Sequence, residues 1–184
     1  ILPILLLGAF YLQCTEPTKI AEDFVVVENQ GGATLAYSPT SGVNIITDGN
    51  FKFKDLNKNG VLDKYEDWRL SSDERAKDLA SQMTIDQIAG LMLYSVHQMI
   101  PAPSTGFGAS TYNGKPYAES GANPWDLTDD QKKFLKEDNP RHILVMSLES
   151  PEIAAKWNNQ MQAYLEGLDL GIPGNSSSYL RHSV

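Results

Sequence analysis

Asp55, Asn57, Asn59, Asp63 and Glu66 occupy positions one, three, five, nine and twelve of the run Asp55-Leu56-Asn57-Lys58-Asn59-Gly60-Val61-Leu62-Asp63-Lys64-Tyr65-Glu66. Each of those side chains offers oxygen. Ca²⁺ is a hard cation that takes about six to eight oxygen ligands, so an oxygen-only set around a tight turn is what its chemistry requires. Gly60 stands at position six, where the turn is sharpest, and Val61 at seven presents its main-chain carbonyl. Leu62 at eight is an apolar anchor, and Glu66 at twelve can close the shell with two oxygens. The spacing is that of an EF-hand calcium loop. Phe51-Lys52-Phe53-Lys54, just before it, does not read as a helix, so the expectation is a loop with an exit helix, acting as a structural clamp rather than a switch. Two Asn in place of Asp lower the charge of the set, which suits modest affinity in calcium-rich surroundings outside the cytosol.

The rest of the chain must position that loop and whatever else is functional. Its 184 residues suit about one domain, and 41% apolar with 21% charged residues is ordinary for a globular protein. A net charge of −8, with no basic stripe, excludes a nucleic-acid partner, because phosphate binding needs clustered Lys and Arg. Cys14 is the single cysteine, so neither an intrachain disulfide nor a Cys-based zinc site is open to the chain. Ile1 to Leu12 is an apolar run that fits the core of a signal peptide and is too short to span a bilayer as a folded helix. A cysteine just after such a run is placed like the lipidated first residue of a bacterial lipoprotein, although Gln13 is unusual before it. Residues 1–14 are therefore expected to be a leader, with Cys14 the lipidation site and any membrane attachment made only through that anchor. The protein is expected to be exported, as a periplasmic or outer-membrane lipoprotein.

Residues 15–50 are polar and turn-rich and predict a tether with short extended pieces, with a turn at Asn29-Gln30-Gly31-Gly32. Residues 51–70 hold the calcium loop. From residue 71 to 184 helix signals take over. Ser71-Ser72-Asp73-Glu74 is a capping box, with Ala76, Leu79, Ala80 and Met83 as the expected buried face of its helix. Thr84-Ile85-Asp86-Gln87 is a second box, with Ile88, Leu91 and Met92 continuing it, and Thr128-Asp129-Asp130-Gln131 caps another helix. Between Ser95 and Leu127, Pro and Gly interrupt every element, so a long loop is expected, with His97, Tyr112, Tyr117 and Trp125 as loop anchors or a sugar-stacking rim. Ile143-Leu144-Val145-Met146 suits a strand buried on both faces. Ser150-Pro151-Glu152 then opens a helix of about five turns, whose apolar face is Ile153, Trp157, Met161, Tyr164, Leu165 and Leu168. Ile172-Pro173 restarts an extended run into Asn175, Ser176, Ser177 and Ser178, so this stretch is a βα unit of a parallel sheet.

Trp157-Asn158-Asn159-Gln160-Met161-Gln162 followed by Leu170-Gly171-Ile172-Pro173 resembles the early barrel of glycoside hydrolase family 3, many members of which are β-glucosidases. The two capped helices joined through Met83-Thr84 resemble the entry to the same barrel, and the likeness runs from about Phe51 to Val184. It implies a retaining hydrolase of terminal non-reducing β-D-glucosyl residues, with a β-glucoside as partner and an Asp nucleophile and a Glu acid/base. Both catalytic motifs lie well C-terminal to the matched part of the family, and no stretch here matches either, so no catalytic residue is assigned. Glu149, Glu152 and Glu166 read as solvated acids. Arg181 and His182 match the family's sugar-contacting run and are the candidate substrate-binding residues. The family's Asp in that run falls on Tyr179, whose phenol cannot make a bidentate carboxylate contact to sugar hydroxyls, and Leu180 and Ser183 replace a Pro and a Gly.

A (β/α)₈ barrel takes about 250 residues and eight strands, whereas two strand starts are legible here. The expected fold class is α/β: the incomplete N-terminal part of a TIM-type barrel, preceded by a signal segment and the EF-hand-like loop, and by itself inactive. The competing readings are a calcium-dependent, dockerin-like binding module, disfavoured because dockerins use two such loops, and a non-catalytic surface lipoprotein.

Overall fold

The computed structural model describes residues 18–21 and 24–178. In chain order the strands are β1 (Thr18–Ala21), β2 (Phe24–Val27), β3 (Leu35–Tyr37), β4 (Asn44–Asp48), β5 (Phe51–Asp55), β6 (Gln98–Ile100), β7 (His142–Leu148) and β8 (Asn175–Ser178). The helices are α1 (Ser72–Gln82), α2 (Ile85–Leu91), α3 (Tyr117–Ser120), α4 (Asp129–Glu137) and α5 (Pro151–Glu166), with a 3-10 turn at Pro39–Ser41. These strands make an antiparallel β1-β2-β3 sheet, an antiparallel β4-β5 hairpin and a parallel β6-β7-β8 sheet. None of the three closes into a barrel among the described residues.

The parallel sheet organises the core. Ile143 and Val145 of β7 point the same way, as alternate strand residues must, and pack with Ile153, Trp157, Met161 and Leu165 of α5, together with Ile100, Leu127 and Leu135. The four α5 residues recur every fourth position and so form one buried stripe. Burying each such side chain contributes about 1.5–3 kcal/mol. Ser150 begins the helix by accepting the Ile153 N–H, and Pro151 takes the first turn, where no N–H is needed. The capping boxes expected at Ser71/Glu74, Thr84/Gln87 and Thr128/Gln131 are all formed, each with both reciprocal hydrogen bonds.

Three expectations are corrected. First, the sheet has a third strand: β6 lies within the stretch read as structureless and pairs parallel to β7, with Gln98 opposite Val145. It is three residues long and closed by Pro101, so its stability comes from the β7 edge and not from local propensity. Second, α1 has no buried face. Ala76 and Ala80 are exposed, and Leu79 and Met83 are only half-buried. On α2, Ile85 and Met92 are each 84% exposed. Neither helix fully buries an apolar side chain among the described residues, and α2 is held instead through Gly90, where a Cβ would come within 2.5 Å of the Asn139 carbonyl oxygen. Third, Glu166 is not a solvated acid. It is buried at the end of α5, pairs with Lys54 of β5 at 2.5 Å and accepts the Ser38 N–H at 3.2 Å. Position alone placed it on a surface, but the β4-β5 hairpin folds over it. Glu166→Ala is expected to lower stability by about 1–3 kcal/mol, because it strands the Ser38 N–H and leaves the Lys54 ammonium its bond to the Ala36 carbonyl but no counter-charge. Urea denaturation measures it, and a Lys54→Met/Glu166→Ala cycle separates the pair from the amide bond.

On its other face the hairpin packs against Trp68, which stacks on Phe53 and meets Phe51 edge-on, with ring centroids 5.3 and 5.2 Å apart. Arg69 lies over the same Phe53 ring and pairs with Asp48 and Asp67. No helix among the described residues is long and apolar enough to cross a membrane.

Candidate functional site

Two places were expected to carry function: the Asp55–Glu66 loop and the carboxyl ends of the parallel strands. The loop leaves the hairpin at Asp55, the last residue of β5. That carboxylate is 1% exposed. Its Oδ2 accepts the Gly60 N–H at 3.1 Å, while its Oδ1 is buried without a hydrogen-bond partner. Asn57 Oδ1 accepts the Asn59 N–H and Asn59 Oδ1 the Val61 N–H. Both carboxamide groups donate to Asp63 Oδ2, at 2.7 and 2.8 Å. Gly60, at φ 77°, makes the turn that its place in the motif demands.

Glu66 folds back across the loop. Its Oε1 accepts the N–H groups of Leu56 and Asn57, and its Oε2 that of Asp63. Burial pushes this carboxyl above the usual range, against the opposing pull of those three N–H groups. Next to it, burial and the Glu66 charge push the Tyr65 phenol up. The expected exit helix is absent. Turns occupy 64–66, Asp67 and Arg69 are tied to each other, and α1 begins only at Ser72. The loop still docks on α1: Arg75 donates to the Tyr65 carbonyl, and Asp78 accepts the Tyr65 N–H. No three His, Cys, Asp or Glu side chains are gathered as a metal cluster among the described residues. The loop's donor set mixes three carboxylates with two carboxamides and the Val61 carbonyl.

At the strand ends, Arg181 and His182 lie outside the described residues, as do Tyr179 and, at the other terminus, Cys14. The structure does bring the carboxyl ends of β6, β7 and β8 to one edge, since all three run parallel. It also divides the Trp157–Gln162 motif between two jobs. Trp157 and Met161 are core residues. Asn158 accepts the Ser176 hydroxyl at 2.9 Å, and Gln162 brackets Gly174 with two bonds to its main chain. The motif thus clamps α5 to the entry of β8, and Tyr94 meets Ser177 from the other face of the sheet.

Tyr112, Tyr117 and Trp125 of the long loop are anchors, whereas His97 lies beside Phe107, which is 66% exposed. Tyr112 is buried and its hydroxyl accepts the Ala102 N–H. Tyr117 lies against Tyr112, and Trp125 packs on the core beneath Lys156. Asp129 fastens the same loop by accepting Thr111, Asn113 and Gly114, and these bonds, the Thr111 hydroxyl foremost, hold its carboxyl below the usual range. A cavity of about 390 Å³ lies between this loop, the 3-10 turn and α5, bordered by Tyr112, Asp126, Lys132, Gln160 and Tyr164. It includes no residue from the carboxyl ends of the parallel strands.

Sequence reasoning missed a buried polar chain. Gln131 Nε2 donates to Gln98 Oε1, Gln131 Oε1 accepts the Trp157 indole N–H, and the same oxygen closes the Thr128 capping box. The capping box identified Gln131, but nothing local shows that it also joins β6 to α5. Arg141 was missed too, although it is buried and reaches three main-chain carbonyls.

No protein-family model matches the chain. Over 144 residues, 78% of its length, the chain is 35% identical to a periplasmic beta-glucosidase/beta-xylosidase of Dickeya chrysanthemi. The match covers 20% of that relative, so the chain spans about a fifth of the length of the protein it resembles. The chain is a distant, partial homologue of a glycosidase.

Proposed function

We propose that this chain is the opening portion of a retaining glycosidase of the family 3 type that removes terminal β-D-glucosyl residues. The 35% identity to a periplasmic beta-glucosidase/beta-xylosidase carries the reading. The parallel β6-β7-β8 sheet, backed by α5, supports a barrel origin, and the run from Asn175 to His182 would then lie at the strand ends where barrel enzymes bind substrate. In this reading Arg181 and His182 donate hydrogen bonds to sugar hydroxyls, and the catalytic carboxylates come from sequence beyond the matched region. The protein works outside the cytoplasm, with Cys14 as its lipid attachment.

The test is an assay of the polypeptide extended to the length of its relative, on aryl β-glucosides and aryl β-xylosides. Turnover of the glucoside is expected, with Arg181→Ala and His182→Ala raising KM. The 184-residue chain alone is expected to be inactive. Turnover by that chain, or none by the extended protein, would overturn the proposal.

A further inference from the structure

We infer that the Asp55–Glu66 loop binds one Ca²⁺ ion, and that the ion locks the β4-β5 hairpin to α1 and to the end of α5. The inference starts from Asp55 Oδ1. A carboxylate oxygen buried without a donor is costly, since it has left water and gained nothing in return. The other oxygen of the same carboxylate accepts the Gly60 N–H, so the group is held inside the loop and not against the core. Among the described residues no side chain donates to Oδ1. Lys54 serves Glu166 and the Ala36 carbonyl, Lys58 donates to the Gly167 carbonyl, and Arg75 to the Tyr65 carbonyl.

The same loop carries further donors of one chemical kind, although its three carboxylates are not drawn together without an ion. Asn57 Oδ1 and Asn59 Oδ1 each accept a single N–H, which leaves one lone pair apiece. Glu66 Oε2 accepts the Asp63 N–H. With Asp63 and the Val61 carbonyl this makes six oxygen-bearing groups, three of them carboxylates, and neither nitrogen nor sulfur. Such a set favours a hard dication. Mixed amide, carbonyl and bidentate carboxylate donors suit Ca²⁺, which tolerates irregular geometry, better than Mg²⁺, which demands a near-ideal octahedron and keeps its waters.

Placement of the loop says what occupancy does. Lys58 ties it to the carbonyl of Gly167 at 3.1 Å, and Leu56 fills the space beside Gly171. Asn57 donates to Gln82 of α1. An ion at the centre therefore reinforces a junction of three elements that otherwise rests on a few hydrogen bonds and the Lys54–Glu166 pair.

The test uses the whole chain stripped with a chelator, and it needs no turnover, so it stands or falls apart from the glycosidase reading. Calcium at a hundredfold excess over its dissociation constant is expected to raise Tm by roughly 5–10 °C. Tb³⁺ should luminesce through Tyr65, and calcium should displace it. Asp55→Asn and Glu66→Gln should each abolish the calcium shift, and Mg²⁺ should produce little of it. If a variant does not fold, the wild-type terbium titration decides alone. No calcium shift and no sensitised emission at about 10 mM, above the weakest extracellular EF-hand class, would overturn the inference. So would a calcium shift that both variants keep.

Discussion

Trp157→Ala should cost the chain about 3–5 kcal/mol, the range for deleting a large aromatic side chain from a packed core. Trp157 is 2% exposed and lies between β7 and α4, in contact with the cluster that includes Ile143, Val145 and Leu135. Its indole N–H also donates to Gln131, whose other amide end reaches Gln98 of β6. Truncation therefore opens a cavity and cuts the polar chain joining β6 to α5 at the same residue. Against a typical total stability of about 5–15 kcal/mol, the variant should be largely unfolded at modest urea. Trp157→Phe separates the two effects. It keeps most of the packing and removes only the donor, while Gln131 Oε1 retains the Thr128 N–H, so a loss of about 1–2 kcal/mol is expected. Far-UV dichroism in urea measures both. A loss below about 1 kcal/mol for the alanine variant would mean that α5 is not the element on which the sheet is built.

What could be read from the residue order, and what could not, follows from the range of the forces involved. The three capping boxes and the α5 stripe are local: the partners lie within four residues, so spacing alone specifies them. The β7 strand was legible because its first half, Ile143 to Val145, is buried on both faces and leaves an apolar run; the same reasoning overreached at Met146, which is 49% exposed. By contrast, β6 exists because β7 offers an edge, and Glu166 is buried because the hairpin arrives from more than a hundred residues away. The helix faces of α1 and α2 were legible as amphipathic, but amphipathicity states a need for a partner without supplying one. At the loop, spacing gave the turn at Gly60, yet not the turn-rich exit, which depends on Asp67 engaging Arg69. In the Trp157–Gln162 motif, the likeness to an enzyme family drew attention to polar residues whose visible work is structural, clamping Gly174 and Ser176.

Replacing Arg141 with Met should remove about 2–4 kcal/mol, more than its place at the start of a strand suggests. Its guanidinium donates to the carbonyls of Leu135 at 3.1 Å, Pro140 at 2.9 Å and Ile172 at 3.0 Å, so one side chain fastens the end of α4, the entry of β7 and the approach to β8. No carboxylate stands within ion-pair distance of it among the described residues. Burial pulls its pKa down, and the more distant Asp169 charge pulls it back up. A buried cation held by neutral carbonyls is exposed to loss in both directions, because removing it leaves three acceptors unpaired. Met matches the length of the aliphatic stem but can satisfy none of them, and Lys should recover only part of the loss, since an ammonium cannot spread its donors as a planar fork does. The guanidinium stays charged at every pH the fold survives, so the difference between wild type and Arg141→Met should not change between about pH 5 and 9. Hydrogen exchange locates the damage. The Asn175 N–H is bonded to the Arg141 carbonyl, and in the variant it should lose protection ahead of the amides at the centre of β7. Uniform loss across β7 and β8 would instead show Arg141 acting on the whole sheet rather than on the junction where β8 joins it.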